Sequence, residues 1–143
     1  MATVRPLEQE DLVRGFRETL GSLRPVADLS DKEMERIFSV IYSNPNHWIF
    51  VAVEDNDVVG TITLLIEQKF IHRGGKVGHI EDVAVRQSAR RKGVGTLLVE
   101  TAIRAARHED CYKAILDCDE NNIVFYETLG FKKHGVQMRL DLQ

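Results

Sequence analysis

The chain has 143 residues, 43% of them hydrophobic and 29% charged, which suits one domain with a sizeable core. A net charge of -3 and a pI near 5.9 argue against nucleic acid or an anionic membrane as the main partner. The longest apolar runs, such as Ile62 to Ile66, are far too short to span a bilayer, and the N-terminus lacks a secretory core, so a cytoplasmic setting is expected.

In chain order, Thr3 to Arg5 reads as a short strand ending at Pro6. Glu8 to Leu20 follows as a helix whose apolar face carries Leu12, Phe16 and Leu20, with Gly21 as its stop. Ser30-Asp31-Lys32-Glu33 is a capping box, opening a helix with Met34, Ile37, Phe38 and Ile41 on one stripe. Trp48 to Val53 and Val58 to Gln68 are strands joined at Asp55-Asn56-Asp57, a hairpin. Ile71 to Gly78 reads as a glycine-rich basic loop, and His79 to Val85 as a central strand. Arg86 to Lys92 is a loop leading into a helix from Gly93 to about Arg107. A strand runs from near Tyr112 to Cys118, a short helix from Asn121 to Leu129 stops at Gly130, and Phe131 to Leu140 is a final strand. No repeat or linker interrupts this order, so residues 1–143 form one domain. The fold class is α/β with a mixed sheet: the hairpin is antiparallel, and the strand-helix-strand unit around Gly93 implies a right-handed crossover with parallel pairing. Helices cover both faces.

Cys111 and Cys118 fall in the same predicted strand. Seven strand steps hold them roughly 20 Å apart or more, too far for a disulfide. Neither has histidine partners at ligand spacing, so no metal site is expected, and both read as reduced thiols in or near the core.

The segment Arg90-Arg91-Lys92-Gly93-Val94-Gly95-Thr96 sits where a loop enters a helix. A pyrophosphate needs convergent N–H donors and positive charge, and a helix N-terminus offers both through its free amides and its dipole. Gly93 and Gly95 allow close backbone approach, and the three basic residues add charge. Two better-known phosphate motifs fail. The Walker loop needs Ser or Thr after Gly-Lys, whereas Gly75-Lys76 precedes Val77 and Phe70 replaces the first glycine; the dinucleotide fingerprint needs a third glycine where Leu98 stands. The remaining pattern, Arg90-x-x-Gly93-x-Gly95 between a strand and a long helix, resembles the coenzyme-A loop of the GNAT superfamily of N-acetyltransferases.

Further stretches narrow the resemblance: Lys69-Phe70-Ile71-His72, Gly78 to Val85, Cys111-Tyr112-Lys113 through Asp119, and Asn122 with Phe125-Tyr126-Glu127 and Gly130-Phe131. From about residue 58 to the end, they look like the branch of that superfamily that acetylates glucosamine 6-phosphate. The resemblance implies the acyl-CoA N-acyltransferase fold, acetyl-CoA as cosubstrate, an amino sugar phosphate as acceptor, a homodimer with active sites near the interface, and a step in UDP-N-acetylglucosamine synthesis. It places the cosubstrate on Val83, Ala84, Val85, the Arg90 to Thr96 loop, Asn122 and Tyr126. Lys69, His72 and Lys113 become candidates for the sugar phosphate, while Arg73 and Lys76 read as solvated charges and His79 as structural.

Glu81 and Asp82 are acids in an apolar strand and need a partner or a task. Successive strand residues point to opposite faces, so aiming both at one site requires a bulge. By resemblance both lie at the sugar and the reacting amine, as does Asp117, which otherwise reads as a strand-end turn former. Asn122 and Tyr126 share a helix face, opposite the face of Phe125 and Leu129, which would leave the Tyr126 phenol free to protonate a departing coenzyme thiolate. Candidate catalytic residues are therefore Tyr126, Glu81, Asp82 and Asp117. Two positions depart from the family pattern: Arg24 stands near a family threonine, and Asp141 replaces an arginine that reaches the sugar phosphate, with Arg139 as a possible substitute. The competing readings are an acetyltransferase for another amine, such as a polyamine or a protein N-terminus, and a coenzyme-A-binding module without catalysis.

Overall fold

A computed structural model describes residues 1–26 and 28–143. Strand β1 (Thr3–Pro6) leads to a 3-10 turn at Gln9–Val13 and helix α1 (Phe16–Gly21). The single helix expected from Glu8 to Leu20 is thus broken. Gly15, at φ 97, takes a left-handed conformation between the two pieces, and its carbonyl accepts a hydrogen bond from Arg86, locking the break to the sheet. Helix α2 (Asp31–Tyr42) starts with the expected capping box, in which Glu33 N–H donates to Ser30 Oγ at 3.1 Å and Ser30 N–H donates to Glu33 Oε2 at 3.0 Å.

Strands β2 (His47–Glu54) and β3 (Asp57–Gln68) form the hairpin, with Asp55 and Asn56 both at positive φ as a tight turn with the native twist requires. The loop expected from Ile71 to Gly78 is shorter than that: a distorted single turn, α3 (Ile71–Gly74), gives way to strand β4 (Lys76–Val85). Helix α4 (Val94–His108) crosses back to β5 (Cys111–Ile115), and a 3-10 turn at Glu120–Asn122 precedes α5 (Ile123–Thr128). The sheet runs β1-β2-β3-β4-β5; the first four strands are antiparallel in sequence order and β5 is parallel to β4.

Alternation along the strands builds a core on each face. Ile62, Leu64 and Ile80 pack under Val94, Leu98, Val99 and Ala102 of α4 on one face; Val51 and Val58 pack against Leu12, Phe16 and Met34 on the other. Leu98 is fully buried and alone contributes about 2 kcal/mol of apolar burial. A Cβ at Gly60 would lie 2.9 Å from both Leu98 Cδ1 and Val94 Cγ1, so the absence of one lets the first turn of α4 come down onto β3. That contact sets where the helix N-terminus sits relative to the end of β4.

Three boundaries differ from those read in the sequence. Strand β5 ends at Ile115, so Asp117 and Cys118 lie beyond it; Cys118 is exposed and only Cys111 is half-buried, and both thiols are free. The predicted helix at Asn121 begins two residues later, at Ile123, after the 3-10 segment. The predicted strand from Phe131 to Leu140 is absent: residues 131–143 carry no regular secondary structure. Their alternating pattern suits a strand, but a strand needs a ladder partner for its backbone groups, and none of the described residues supplies one.

Candidate active site

The parallel ladder between β4 and β5 stops at His79↔Ile115, yet β4 continues to Val85. The strands therefore part, and Glu81 to Val85 border the opening. The parting has a local cause. Thr63 pairs with Glu81 and Thr61 with Ala84, so one residue of β3 faces two of β4, and Asp82 takes a left-handed φ of 49. This is the bulge that the paired acids require. Glu81 and Asp82 are consequently both exposed, instead of one being turned into the core.

The Arg90 to Thr96 loop stands at the same end of β4. Gly93 caps α4 at φ 80, and the first helical hydrogen bond joins Leu97 N–H to the Gly93 carbonyl at 3.0 Å. The amides of Val94, Gly95 and Thr96 precede that bond and have no intrahelical acceptor, which is the condition for anion binding. Arg90 Nε donates to the Val85 carbonyl at 3.1 Å, tying the loop to the strand end. Arg91 and Lys92 are exposed. The arrangement can hold a diphosphate at the helix terminus while a chain attached to it runs along Val83, Ala84 and Val85.

Three carboxylates, Glu81, Asp82 and Asp117, influence one another electrostatically. Partial burial pushes the Glu81 carboxyl above its ordinary range, and the charges of Asp82 and then Asp117 push it further, against a smaller pull from His79. Asp117 Oδ2 also accepts a hydrogen bond from Gln137 Nε2 at 3.0 Å. A carboxylate with a raised pKa is a better proton acceptor than an unperturbed one.

Tyr126 differs from its sequence reading. It is the buried member of α5, 8% exposed, and its ring meets Phe125 and Phe131 edge-on at centroid distances of 5.0 and 5.8 Å. Phe125 and Leu129 are only partly buried. The helix is six residues long, and Tyr126 is its buried side chain, joined to the main core cluster and turned away from solvent. Burial raises its pKa, with a smaller push from Cys118, so the phenol keeps its proton. Asn122 precedes the helix and is exposed.

The basic residues form a second group. His72, at φ 52, stacks on Tyr112 at 4.0 Å, and Lys113 Nζ lies 5.7 Å from the Tyr112 ring centroid. The structure thus brings His72 and Lys113 together around Tyr112. Lys69 Nζ is 3.1 Å from Glu67 Oε2, and Glu67 Oε1 is 2.9 Å from His79 Nε2. His79 is therefore held structurally, as expected, and Lys69 is drawn to the same carboxylate. The sequence reading did not single out Glu67; its signal was an acid near the end of β3 two residues before Lys69, a spacing that puts extended residues on one face. His47 was also passed over. Burial lowers its pKa, and the charge of Asp82 acts in the opposite sense. Arg24 is exposed, with Nη1 donating to the neighbouring Leu23 carbonyl; Arg139 Nε is paired with Asp141 at 2.7 Å.

Known proteins resemble this chain in sequence and fold. Glucosamine 6-phosphate N-acetyltransferase of Candida albicans is 38% identical over 138 residues, covering 95% of this chain and 93% of that protein. The enzyme of the same name from Trypanosoma brucei brucei is 39% identical over 144 residues, covering 97% and 95%. The crystal structure of glucosamine-6-phosphate N-acetyltransferase from Arabidopsis thaliana superposes with a TM-score of 0.96 at 37% identity, over 100% of this chain and 99% of that one. A sequence model of the acetyltransferase (GNAT) family matches residues 10–131, and with it the chain belongs to that family, whose acyl donor is acetyl-CoA.

Proposed function

We propose that this protein transfers the acetyl group of acetyl-CoA to the amine of D-glucosamine 6-phosphate, giving N-acetyl-D-glucosamine 6-phosphate for UDP-N-acetylglucosamine synthesis. The observation that carries this reading is the similarity to enzymes of that name along nearly the whole chain. The diphosphate sits on the amides of Val94, Gly95 and Thr96, and Arg90, Arg91 and Lys92 supply charge. Backbone groups of Val83 to Val85 hold the pantetheine and polarise the thioester carbonyl. Glu81, next to Asp82 and Asp117, takes the proton of the sugar ammonium, directly or through water. The free amine attacks the carbonyl carbon, the C–S bond breaks, Tyr126 donates its proton to the departing thiolate, and the proton lost from the acetylated nitrogen restores the phenol through water. Transfer is direct: burial holds the Cys111 thiol in its protonated form, which is a poor nucleophile. His72, Lys113 and Lys69 meet the sugar phosphate, Lys69 exchanging Glu67 for the dianion. Given an equimolar mixture of glucosamine 6-phosphate, glucosamine and a lysine peptide, the enzyme places the acetyl group on the phosphosugar. Mass spectrometry of the products checks this, and preferential acetylation of the peptide would overturn it.

The pH dependence follows from Glu81. Its raised pKa makes kcat/KM for the acceptor fall as pH drops through that value, because only the carboxylate accepts a proton. Asp82→Asn removes a negative charge beside it, lowers the Glu81 pKa, and moves the acidic limb to lower pH. An acidic limb that stays in place under this substitution removes Glu81 from the base role.

The partner is a second copy of this chain. Val136, Met138, Leu140 and Leu142 are 82–88% exposed on alternate positions of a segment without a ladder partner, and Phe70 is fully exposed beside the acceptor loop. A contiguous apolar stripe of this kind marks an interaction surface. Met138→Lys with Leu140→Lys converts a dimer to a monomer in sedimentation velocity; a wild-type protein that is monomeric at micromolar concentration contradicts the assignment. The free thiols Cys111 and Cys118 suit a reducing compartment, and the cytosol is the proposed location.

A further inference from the structure

The C-terminal segment alternates in a way that the dimer surface alone does not explain. Its even positions, Val136, Met138, Leu140 and Leu142, are apolar and exposed, while its odd positions, Gln137, Arg139 and Asp141, are polar. Gln137 reaches back across the chain to Asp117, its amide nitrogen 3.0 Å from Oδ2. Asp117 needs such a contact. It lies two residues past the end of β5, where the ladder no longer fixes the backbone, and among the described residues Gln137 is its hydrogen-bond partner.

The chemistry of the donor matters as much as its position. The charged groups acting on Glu81 are Asp82 and Asp117, which push its pKa up, and His79, which opposes them. An arginine or lysine at position 137 would hold Asp117 in place but cancel its charge and weaken the push on Glu81. A primary amide orients the carboxylate and leaves the charge intact. We propose that Gln137 is a positioning residue of the acceptor site, holding the Asp117 carboxylate toward Glu81 by a neutral hydrogen bond and coupling the C-terminal segment to the acid cluster. This rests on the reading of the cluster as the place where the acceptor amine binds.

Two variants test it. Gln137→Met keeps the length of the side chain and removes the donor; kcat/KM for glucosamine 6-phosphate falls about five- to tenfold, the upper part of the range for one ordinary hydrogen bond, as suits an exposed contact, with KM for acetyl-CoA unchanged. Gln137→Lys keeps a donor but adds a positive charge, and the acidic limb of kcat/KM moves to lower pH. In an Asp117→Ala background the Gln137→Met effect disappears, since contacts that act through one another are not additive. A wild-type rate for Gln137→Met, or a loss that persists undiminished without Asp117, overturns the proposal. An NMR titration of the Glu81 carboxyl needs no acceptor: under the proposal its midpoint falls in Gln137→Lys, and an unmoved midpoint refutes it. Absence of glucosamine 6-phosphate turnover by the wild type would instead count against the acceptor reading alone, leaving the titration to decide the role of Gln137.

Discussion

Tyr126→Phe lowers kcat for acetyl transfer about 100-fold under conditions where chemistry limits the rate, the lower end of what a positioned general acid contributes. The substitution removes one oxygen and leaves the ring between Phe125 and Phe131, where the wild-type ring is 8% exposed. Packing is therefore conserved, and thermal stability changes little. Burial keeps the phenol protonated, so it has a proton to donate when the thiolate forms. The loss falls on kcat, since a hydrogen bond to the leaving sulfur strengthens only as the C–S bond breaks. An acetyl thioester with a more acidic thiol needs no such help and restores much of the rate. Single-turnover measurements with both thioesters check the assignment, and an unchanged rate with acetyl-CoA removes Tyr126 from the leaving-group step.

Gly93→Val raises KM for acetyl-CoA by more than about tenfold and leaves KM for the sugar phosphate near its wild-type value. The residue caps α4 at φ 80, and a non-glycine residue held in that region costs about 1–3 kcal/mol, more when β-branched. Within the protein a Cβ there meets nothing within 4 Å. The penalty therefore acts through the loop conformation that presents the amides of Val94 to Thr96, with no clash in the core. Steady-state kinetics with each substrate varied in turn separates the effects; equal increases in both KM values contradict a local diphosphate site.

The features legible in the sequence were those set by local chemistry. The capping box at Ser30, the Asp55-Asn56 turn and the glycine loop opening α4 each depend on a few adjacent residues, and each is present. The mixed sheet followed from element order, and the bulge at Asp82 followed from the need to face two neighbouring acids to one site. What the sequence hid depends on distant partners. Helix periodicity ran straight through Gly15, because nothing near it in sequence shows that Arg86 donates to its carbonyl or that Val58 N–H, at the start of β3, donates to the carbonyl of Arg14 beside it. The face assignment on α5 failed because Tyr126, not Phe125 or Leu129, is the member of this short helix that joins the buried core, a choice made by residues distant in sequence and not by helical spacing. The C-terminal segment has a strand pattern without a strand, since a pattern specifies which side chains share a face and does not supply a neighbour. Glu67 and Gln137 escaped notice because their roles are defined by Lys69, His79 and Asp117, not by their own surroundings in sequence.

Acetylation of an amino sugar phosphate at the opening beside Glu81 and Asp82 is tested most directly by thiol release from acetyl-CoA, followed with glucosamine 6-phosphate and with glucosamine under the same conditions. The expected result is acetyl-CoA consumption coupled to loss of the sugar amine, with kcat/KM for the phosphorylated sugar about 100-fold or more above that for glucosamine, as when two or three charged contacts to the phosphate are lost. Equal rates with the two sugars, or thiol release with neither, would contradict it.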